Sequence, residues 1–190
     1  MRIIALVRHG QTDLNVQRRW QGSTDPPLNA TGIGHALAAA RQIGTHFPGI
    51  DWSRIVTSPL QRARQTANLI SVLTRVPVTG TCRQLVEQHG GAAEGLTESE
   101  IRRRWPEEAE IPGIEPRTEA ADRVTSALIA IAHNHSDENL LVVGHGTVLN
   151  LAITRLAGCA VTPHIPNGGM ATFDVVETGR QWSQRTLLRL

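Results

Sequence analysis

A chain of 190 residues is long enough for one domain with a sizeable core, and 40% hydrophobic with 19% charged residues is an ordinary globular composition. Nineteen Lys and Arg against 17 Asp and Glu leave a net charge of +2, and the longest basic run, Arg102-Arg103-Arg104, sits among glutamates, which argues against a nucleic-acid partner. No apolar run approaches the roughly 18 residues of a membrane span, and Cys82 and Cys159 have neither a metal-ligand spacing nor the numbers for a disulfide framework. Met1-Arg2 leads directly into an apolar run with no leader pattern, so a cytoplasmic protein without membrane contact is expected.

Ile3–Val7 is the first of three short apolar runs that read as strands covered on both faces; Arg54–Thr57 and Asn139–Val143 are the others. Between the first two, Ile33, Leu37, Ala40 and Ile43 recur at helical spacing over Thr31 to Thr45. Ser58-Pro59 reads as an N-cap and a first-turn proline, opening a helix with Ala63, Ala67 and Ile70 on one face. Thr97-Glu98-Ser99-Glu100 fits a capping box for a short helix bounded by Pro106. Val124, Leu128 and Ile131 stripe a helix over Glu119 to His133, and Val148 to Leu156 is a further one, closed by Gly158. Met170–Val176 and Trp182–Leu188 flank Glu177-Thr178-Gly179-Arg180 as a hairpin. Strands alternating with helices predict one α/β domain over 1–190, a three-layer α/β/α sandwich with a mostly parallel central sheet.

In such sheets ligands bind beyond the carboxyl ends of the strands. The first strand is followed by Arg8-His9-Gly10, the second by Ser58-Pro59-Leu60-Gln61-Arg62, and the third by Gly144-His145-Gly146. Two arginines and two histidines thus converge on one sheet edge, where neighbouring glycines would let backbone approach a ligand. The combination suits a phosphate: arginine offers a planar cationic fork, and neutral imidazole can attack phosphorus. Two histidines without a carboxylate cluster make a poor metal site, so no metal or cofactor is expected.

These stretches resemble the motifs of the histidine phosphatase superfamily, the phosphoglycerate mutase-like proteins. "RHGQTDLN", "RWQGSTDPPL", "SPLQRARQTA", "LVEQHGGAAEG", "GHG" and Pro166-Asn167-Gly168 follow one another in the family's order over nearly the whole chain. The resemblance implies that His9 is the nucleophile that becomes phosphohistidine. It implies that Arg8, Arg62 and His145 line the phosphate pocket, with Gly146 beside them, and that Glu87 is the general acid and then the base. Asn15 and Gln21 would add neutral donors, with Gly22 in the same loop, and Glu94 would be a structural helper. The partner expected is a small phosphorylated metabolite or inorganic phosphate.

The chain departs from many relatives in Thr147-Val148-Leu149-Asn150 after the last motif, and in Gln88, His89, Gly90 and Ala93 around Glu87, which predicts a less aromatic pocket mouth. His89 and His164 are secondary candidates for substrate contact. Trp20 reads as a lid residue outside the site, and Arg102 to Arg104 read as a solvated helix face. A phosphomonoesterase is the leading reading, a phosphoglycerate mutase the second, and a non-catalytic phosphate-binding module the third. The chain has no tyrosine, and one short helix between Gly95 and Pro112 leaves a small lid, which favours hydrolysis.

Overall fold

The three apolar runs become the centre of one sheet. A computed structural model describes residues 2–158, 164–176 and 182–188, the last five by backbone alone. Its strands are β1 (Arg2–Arg8), β2 (Trp52–Thr57), β3 (Val78–Thr81), β4 (Asn139–Gly144), β5 (Met170–Val175) and β6 (Trp182–Leu188), in the order β3-β2-β4-β1-β5-β6. The first four strands of that order are mutually parallel, and β5 runs antiparallel to both β1 and β6. Only β5 opposes the rest, so the mostly parallel sheet is as expected. The four-residue connection expected between β5 and β6, and Cys159, lie outside the described residues.

The helices are α1 (Asp13–Val16), α2 (Ala30–His46), α3 (Gln61–Thr74), α4 (Glu98–Arg104), α5 (Arg117–Asn134) and α6 (Gly146–Ala157). Strand alternation divides the core into two layers. Ile3, Ala5 and Val7 of β1 face α2 and α3 together with Ile55, Leu141 and Val143. Ile4 and Leu6 face α5 and α6 together with Val56, Leu140 and Val142. A continuous apolar run is what a strand needs when both of its faces are covered.

Two helix expectations change. The inward face of α2 is Gly32, Ala36, Ala39, Ala40 and Ile43, while Ile33 is 44% exposed. Small residues let α2 and α3 lie close to the sheet and to each other, so alanine, rather than the larger apolar residues, marks the buried stripe. Helix α3 starts at Gln61 with Leu60 as its N-cap and no side-chain cap; the Ser58 hydroxyl serves the site instead. The capping box at Thr97 is present, with Thr97 accepting from Glu100 N–H and Glu100 returning to Thr97 N–H.

Over the carboxyl ends of the strands lies a roof, residues 83–116. It is built from α4 and three single 3₁₀ turns at Arg83–Leu85, Gly91–Ala93 and Glu108–Glu110. Ala93, Ile101 and Ile111 form a small core of its own, with Trp20, Leu96, Trp105 and Ile114 partly buried against it.

Candidate active site

Strand β4 lies between β2 and β1, and the registers Arg8↔Gly144 and Thr57↔Val143 bring the three strand ends level. Backbone continues the ladder one residue further: His9 N–H donates to Gly144 O at 3.0 Å, and Ser58 N–H to Val143 O at 2.9 Å. His9, Ser58 and His145 are therefore neighbours by topology. The chain then leaves β1 for α2 on one face and β4 for α6 on the other, which opens a crevice between them.

The crevice is a cleft of about 200 Å³. Arg8, His9, Asn15, Gln21, Gly22, Arg62 and Glu87 line it, seven of the nine residues singled out from sequence. His145 is fully buried and packs its ring against that of His9, with centroids 5.2 Å apart. Gly146 lines a second cleft of about 370 Å³, which shares Arg8, Glu87, Arg117 and Thr147 with the first. The glycines beside the histidines serve the protein's own packing. A Cβ on Gly146 would fall 2.9 Å from Arg8 Cζ, and one on Gly10 would fall 2.2 Å from the carbonyl oxygen of Gly32. Gly146 thus makes room for the Arg8 guanidinium, and Gly10 lets the loop lie on the first turn of α2.

Hydrogen bonds assign the two imidazole tautomers. His9 Nδ1 is 2.6 Å from Gly10 O. A carbonyl only accepts, so the proton sits on Nδ1 and Nε2 carries the free lone pair. His145 Nε2 is 2.7 Å from Ser58 Oγ, which itself accepts from Leu60 N–H. The hydroxyl hydrogen has no other acceptor among the described residues, so it goes to Nε2, and neutral His145 presents an Nδ1–H donor. Burial first, and then the Arg62 guanidinium, holds both rings well below the usual histidine range. Both are neutral at neutral pH, as a nucleophile and a neutral donor need to be.

The two arginines are fixed by carbonyls. Arg8 Nη1 donates to Ile165 O at 3.0 Å, and Arg62 Nη1 and Nη2 donate to Thr24 O at 2.6 Å and Gly22 O at 2.9 Å. Burial lowers both guanidinium pKa values, with Glu87 opposing. In this crevice three buried donor atoms have no partner among the described residues: Arg8 Nε, Arg62 Nε and His145 Nδ1. Buried donors are ordinarily satisfied, so three beside one imidazole mark a place for an oxyanion.

Glu87 faces this group from the roof. Its carboxylate accepts from Thr147 N–H and Val148 N–H, each at 3.2 Å, in the first turn of α6, and from Gln88 N–H at 2.9 Å. Asn15 and Gln21 are oriented by their oxygens. Asn15 Oδ1 accepts from Thr12 N–H at 3.0 Å and Asn167 Nδ2 at 3.2 Å, and Gln21 Oε1 accepts from Thr12 Oγ1 at 2.9 Å. Each amide is left with its NH₂ group, in a residue that lines the cleft. Gly22 takes a left-handed φ of 49°, and a Cβ there would fall 2.1 Å from Glu94 Oε1. Glu94 closes this corner by accepting from Ser23 N–H at 2.9 Å and Gly90 N–H at 3.0 Å.

The model for "Histidine phosphatase superfamily (branch 1)" matches residues 4–186. The chain belongs to that superfamily. It is 35% identical over 158 residues to "Uncharacterized phosphatase PhoE" of Bacillus subtilis, covering 83% of this chain and 79% of the relative. It is 33% identical to "Probable phosphoglycerate mutase GpmB" of Salmonella choleraesuis, over 82% of this chain and 74% of the relative. The solved structure of a mycobacterial glucosyl-3-phosphoglycerate phosphatase complexed with VO3 covers the full length of both chains, with TM-score 0.83 and 26% identity.

Within this superfamily chain, several residues around the cleft were not singled out from sequence. Ser58 orients His145, Thr66 Oγ1 accepts from Gly10 N–H at 3.0 Å, and Thr12 orients both amides. Arg123 donates to Gln84 O at 2.6 Å and Val86 O at 3.0 Å and so holds the strip bearing Glu87, while its own pair with Glu115 fixes it. Trp20 lines the cleft, and the further cations at the cleft are Arg19 and Arg117. Arg102 pairs outward with Glu98, and none of Arg102 to Arg104 lines either cleft. His164 lines the second cleft and His89 neither. Ser58, Thr12, Thr66, Arg19 and Trp20 all lie within the quoted motifs, and Trp20, expected outside the site, lines the cleft; Arg117 and Arg123 meet it from outside every motif.

Proposed function

We propose that the protein is a phosphomonoesterase that hydrolyses a small phosphorylated metabolite through a phosphohistidine on His9. The observation that carries this reading is the trio of unpartnered donors, Arg8 Nε, Arg62 Nε and His145 Nδ1, around an imidazole whose Nε2 lone pair is free. His9 Nε2 attacks phosphorus, the bond to the leaving oxygen breaks, and Glu87 gives that oxygen a proton. Glu87 then takes a proton from water, the water oxygen attacks phosphorus, and the P–N bond breaks to return the lone pair to His9. The donors stabilise the charge on the equatorial oxygens throughout, so the reading assigns no metal. Among the described residues no three His, Cys, Asp or Glu form a metal-binding group. Cytoplasmic location belongs to the same proposal, and no helix of the described residues is long and apolar enough to cross a membrane.

The mutase reading has one support, the relative named as a phosphoglycerate mutase. Against it stands the roof. The roof is one short helix and three turns, and Arg102 to Arg104 line neither cleft, which supports hydrolysis over retention and re-transfer of the phosphoryl group. Rapid-quench mass spectrometry with a phosphomonoester is expected to find an acid-labile phosphoryl group on His9, and His9→Ala is expected to release no phosphate. Full turnover by His9→Ala would overturn the mechanism. Primer-dependent 2-phosphoglycerate formation from 3-phosphoglycerate, with little free phosphate, would give the case to the mutase.

A further inference from the structure

The strip that carries Glu87, residues 83–89, is anchored differently from the rest of the roof. Leu85 is fully buried in the main core, whereas Ala93, Ile101 and Ile111 form the roof's own small cluster. The other anchor is α5. Arg123 Nη1 donates to Gln84 O at 2.6 Å and to Val86 O at 3.0 Å, and Nη2 lies 3.5 Å from Glu87 O. Nε and Nη2 also donate to the two oxygens of Glu115, each at 2.8 Å. Glu115 continues the clamp past Glu87. Its carboxylate accepts from His89 N–H at 3.1 Å, its own N–H donates to His89 O at 2.9 Å, and its carbonyl accepts from Gln88 Nε2 at 2.8 Å. The pair thus grips the chain on both sides of Glu87. Val124 and Leu128 set α5 in the main core, so the strip takes its position from the layer under the sheet rather than from the roof cluster. Arg123 lines neither cleft.

Glu87 is therefore held twice, at different atoms. The first turn of α6 holds its carboxylate through Thr147 and Val148 N–H, and α5 holds its backbone. The carboxylate tie is complete only on the ionised group, because a protonated carboxyl turns one oxygen into a donor and loses acceptor capacity. The backbone tie does not depend on that proton. It is the tie that persists when Glu87 holds the proton and has to deliver it.

We propose that Arg123, clamped by Glu115, is the positioning residue for proton transfer by Glu87. It acts through the backbone of residues 84–89 and touches no substrate. With the strip in place, the Glu87 proton passes to the leaving oxygen as the P–O bond breaks and the P–N bond to His9 forms. This deepens the hydrolytic reading above and rests on its assignment of Glu87.

The test compares phenyl phosphate, whose phenol leaves poorly and gains from a proton, with 4-nitrophenyl phosphate, whose leaving group departs as an anion with little need of one. The readout is the ratio of kcat/KM for the nitrophenyl ester to that for the phenyl ester. Glu87→Gln is expected to raise the ratio. Arg123→Ala is expected to raise it about tenfold, a part of the ~10²–10⁴ that general acid catalysis supplies. Glu115→Gln is expected to move it in the same direction, and Arg123→Lys to move it less than Arg123→Ala, since lysine keeps the charge and loses the fork. In the Glu87→Gln background Arg123→Ala is expected to leave the ratio unchanged, because no proton remains to be placed. A merely structural role would lower both esters together, and a loss of folded enzyme cancels in the ratio. If Arg123→Ala yields no folded protein, Arg123→Lys and Glu115→Gln decide the matter on the same ratio. A ratio indifferent to these variants while Glu87→Gln raises it, or a further rise on adding Arg123→Ala to Glu87→Gln, would overturn the proposal and leave the phosphatase reading standing. A ratio indifferent to Glu87→Gln, or hydrolysis of neither ester by the wild-type enzyme, would instead count against that reading, and the Arg123 proposal would fall with it.

Discussion

The floor of the cleft and its roof are built on opposite principles. On the floor, side chains sit at the ends of buried parallel strands, and carbonyls or hydroxyls fix the groups that point at the phosphate site: Gly10 O on His9, Ser58 on His145, Gly22 and Thr24 on Arg62. The roof is held by Leu85, which packs into the main core, by the small cluster of Ala93, Ile101 and Ile111, and by ties such as Arg123 to the Gln84 and Val86 carbonyls and Glu94 to Ser23 and Gly90. The difference separates the nucleophile and its donors from a roof that brings Glu87 and the outer walls of the cleft. A floor atom displaced by an ångström misaligns the attack, whereas the roof can change its side chains and still leave the phosphate held.

After loss of His9 itself, the largest expected effect is at Arg62, which binds the 22–24 loop through its Nη groups and keeps a buried, unpartnered Nε. Arg62→Ala is expected to lower kcat/KM by about 10²–10³, and Arg62→Lys nearly as much, because the ammonium lacks the fork. Steady-state rates on one monoester decide it, and a lysine variant with near-full activity would reduce Arg62 to a diffuse charge.

The second expectation concerns acid. Burial, then Arg62, keeps His9 and His145 deprotonated in the native protein, while the unfolded chain protonates both below about pH 6.5. The unfolded state then binds more protons, so stability falls as the pH drops below that value, by up to ~1.4 kcal/mol per pH unit for each group. Urea midpoints at pH 7.5 and 5.5 measure the loss, and His9→Asn is expected to shrink it. The depressed carboxylates Glu94 and Glu115 contribute only at lower pH, because their ordinary range lies below 5. A midpoint unchanged between the two pH values would mean the rings are not held neutral.

Ser58→Ala removes the hydroxyl that fixes the His145 tautomer. One such bond is worth roughly 1 kcal/mol, so about a fivefold loss of kcat is expected with the fold retained. Unchanged kcat would show that His145 is oriented by packing alone. The smallest effect is expected on the roof's outer face: Arg102→Ala removes an exposed pair with Glu98, and neither activity nor thermal midpoint is expected to move. A marked loss of activity there would blur the division between floor and roof.

Much of the floor was legible from residue order, because the strands are short apolar runs and the ligand-binding residues follow each strand directly. Arg8-His9 after β1 and Gly144-His145-Gly146 after β4 needed only the rule that such sheets bind at the carboxyl edge. The α2 stripe is as expected at Ala40 and Ile43 but not at Ile33, which faces solvent while Ala36 and Ala39 pack inward. Hydrophobicity alone does not rank an alanine above an isoleucine when close approach decides the packing. Ser58 looked like a helix cap, and a serine before a proline carries that meaning locally whatever the next strand over contains.

The amino-acid sequence by itself determined the α/β class, the central strands, the superfamily and most of the residues that meet at the cleft floor, because each of these is written in contiguous residues whose periodicity or motif survives without knowledge of the rest. Only the tertiary structure decided which nitrogen of each histidine carries the proton, that Gly146 makes room for Arg8, and that Arg117 rather than Arg102 to Arg104 reaches the clefts. Those facts depend on pairs separated by tens of residues, such as Ser58 with His145 and Arg8 with Gly146. No local pattern records such a pair, because it forms only when the strand ends come level.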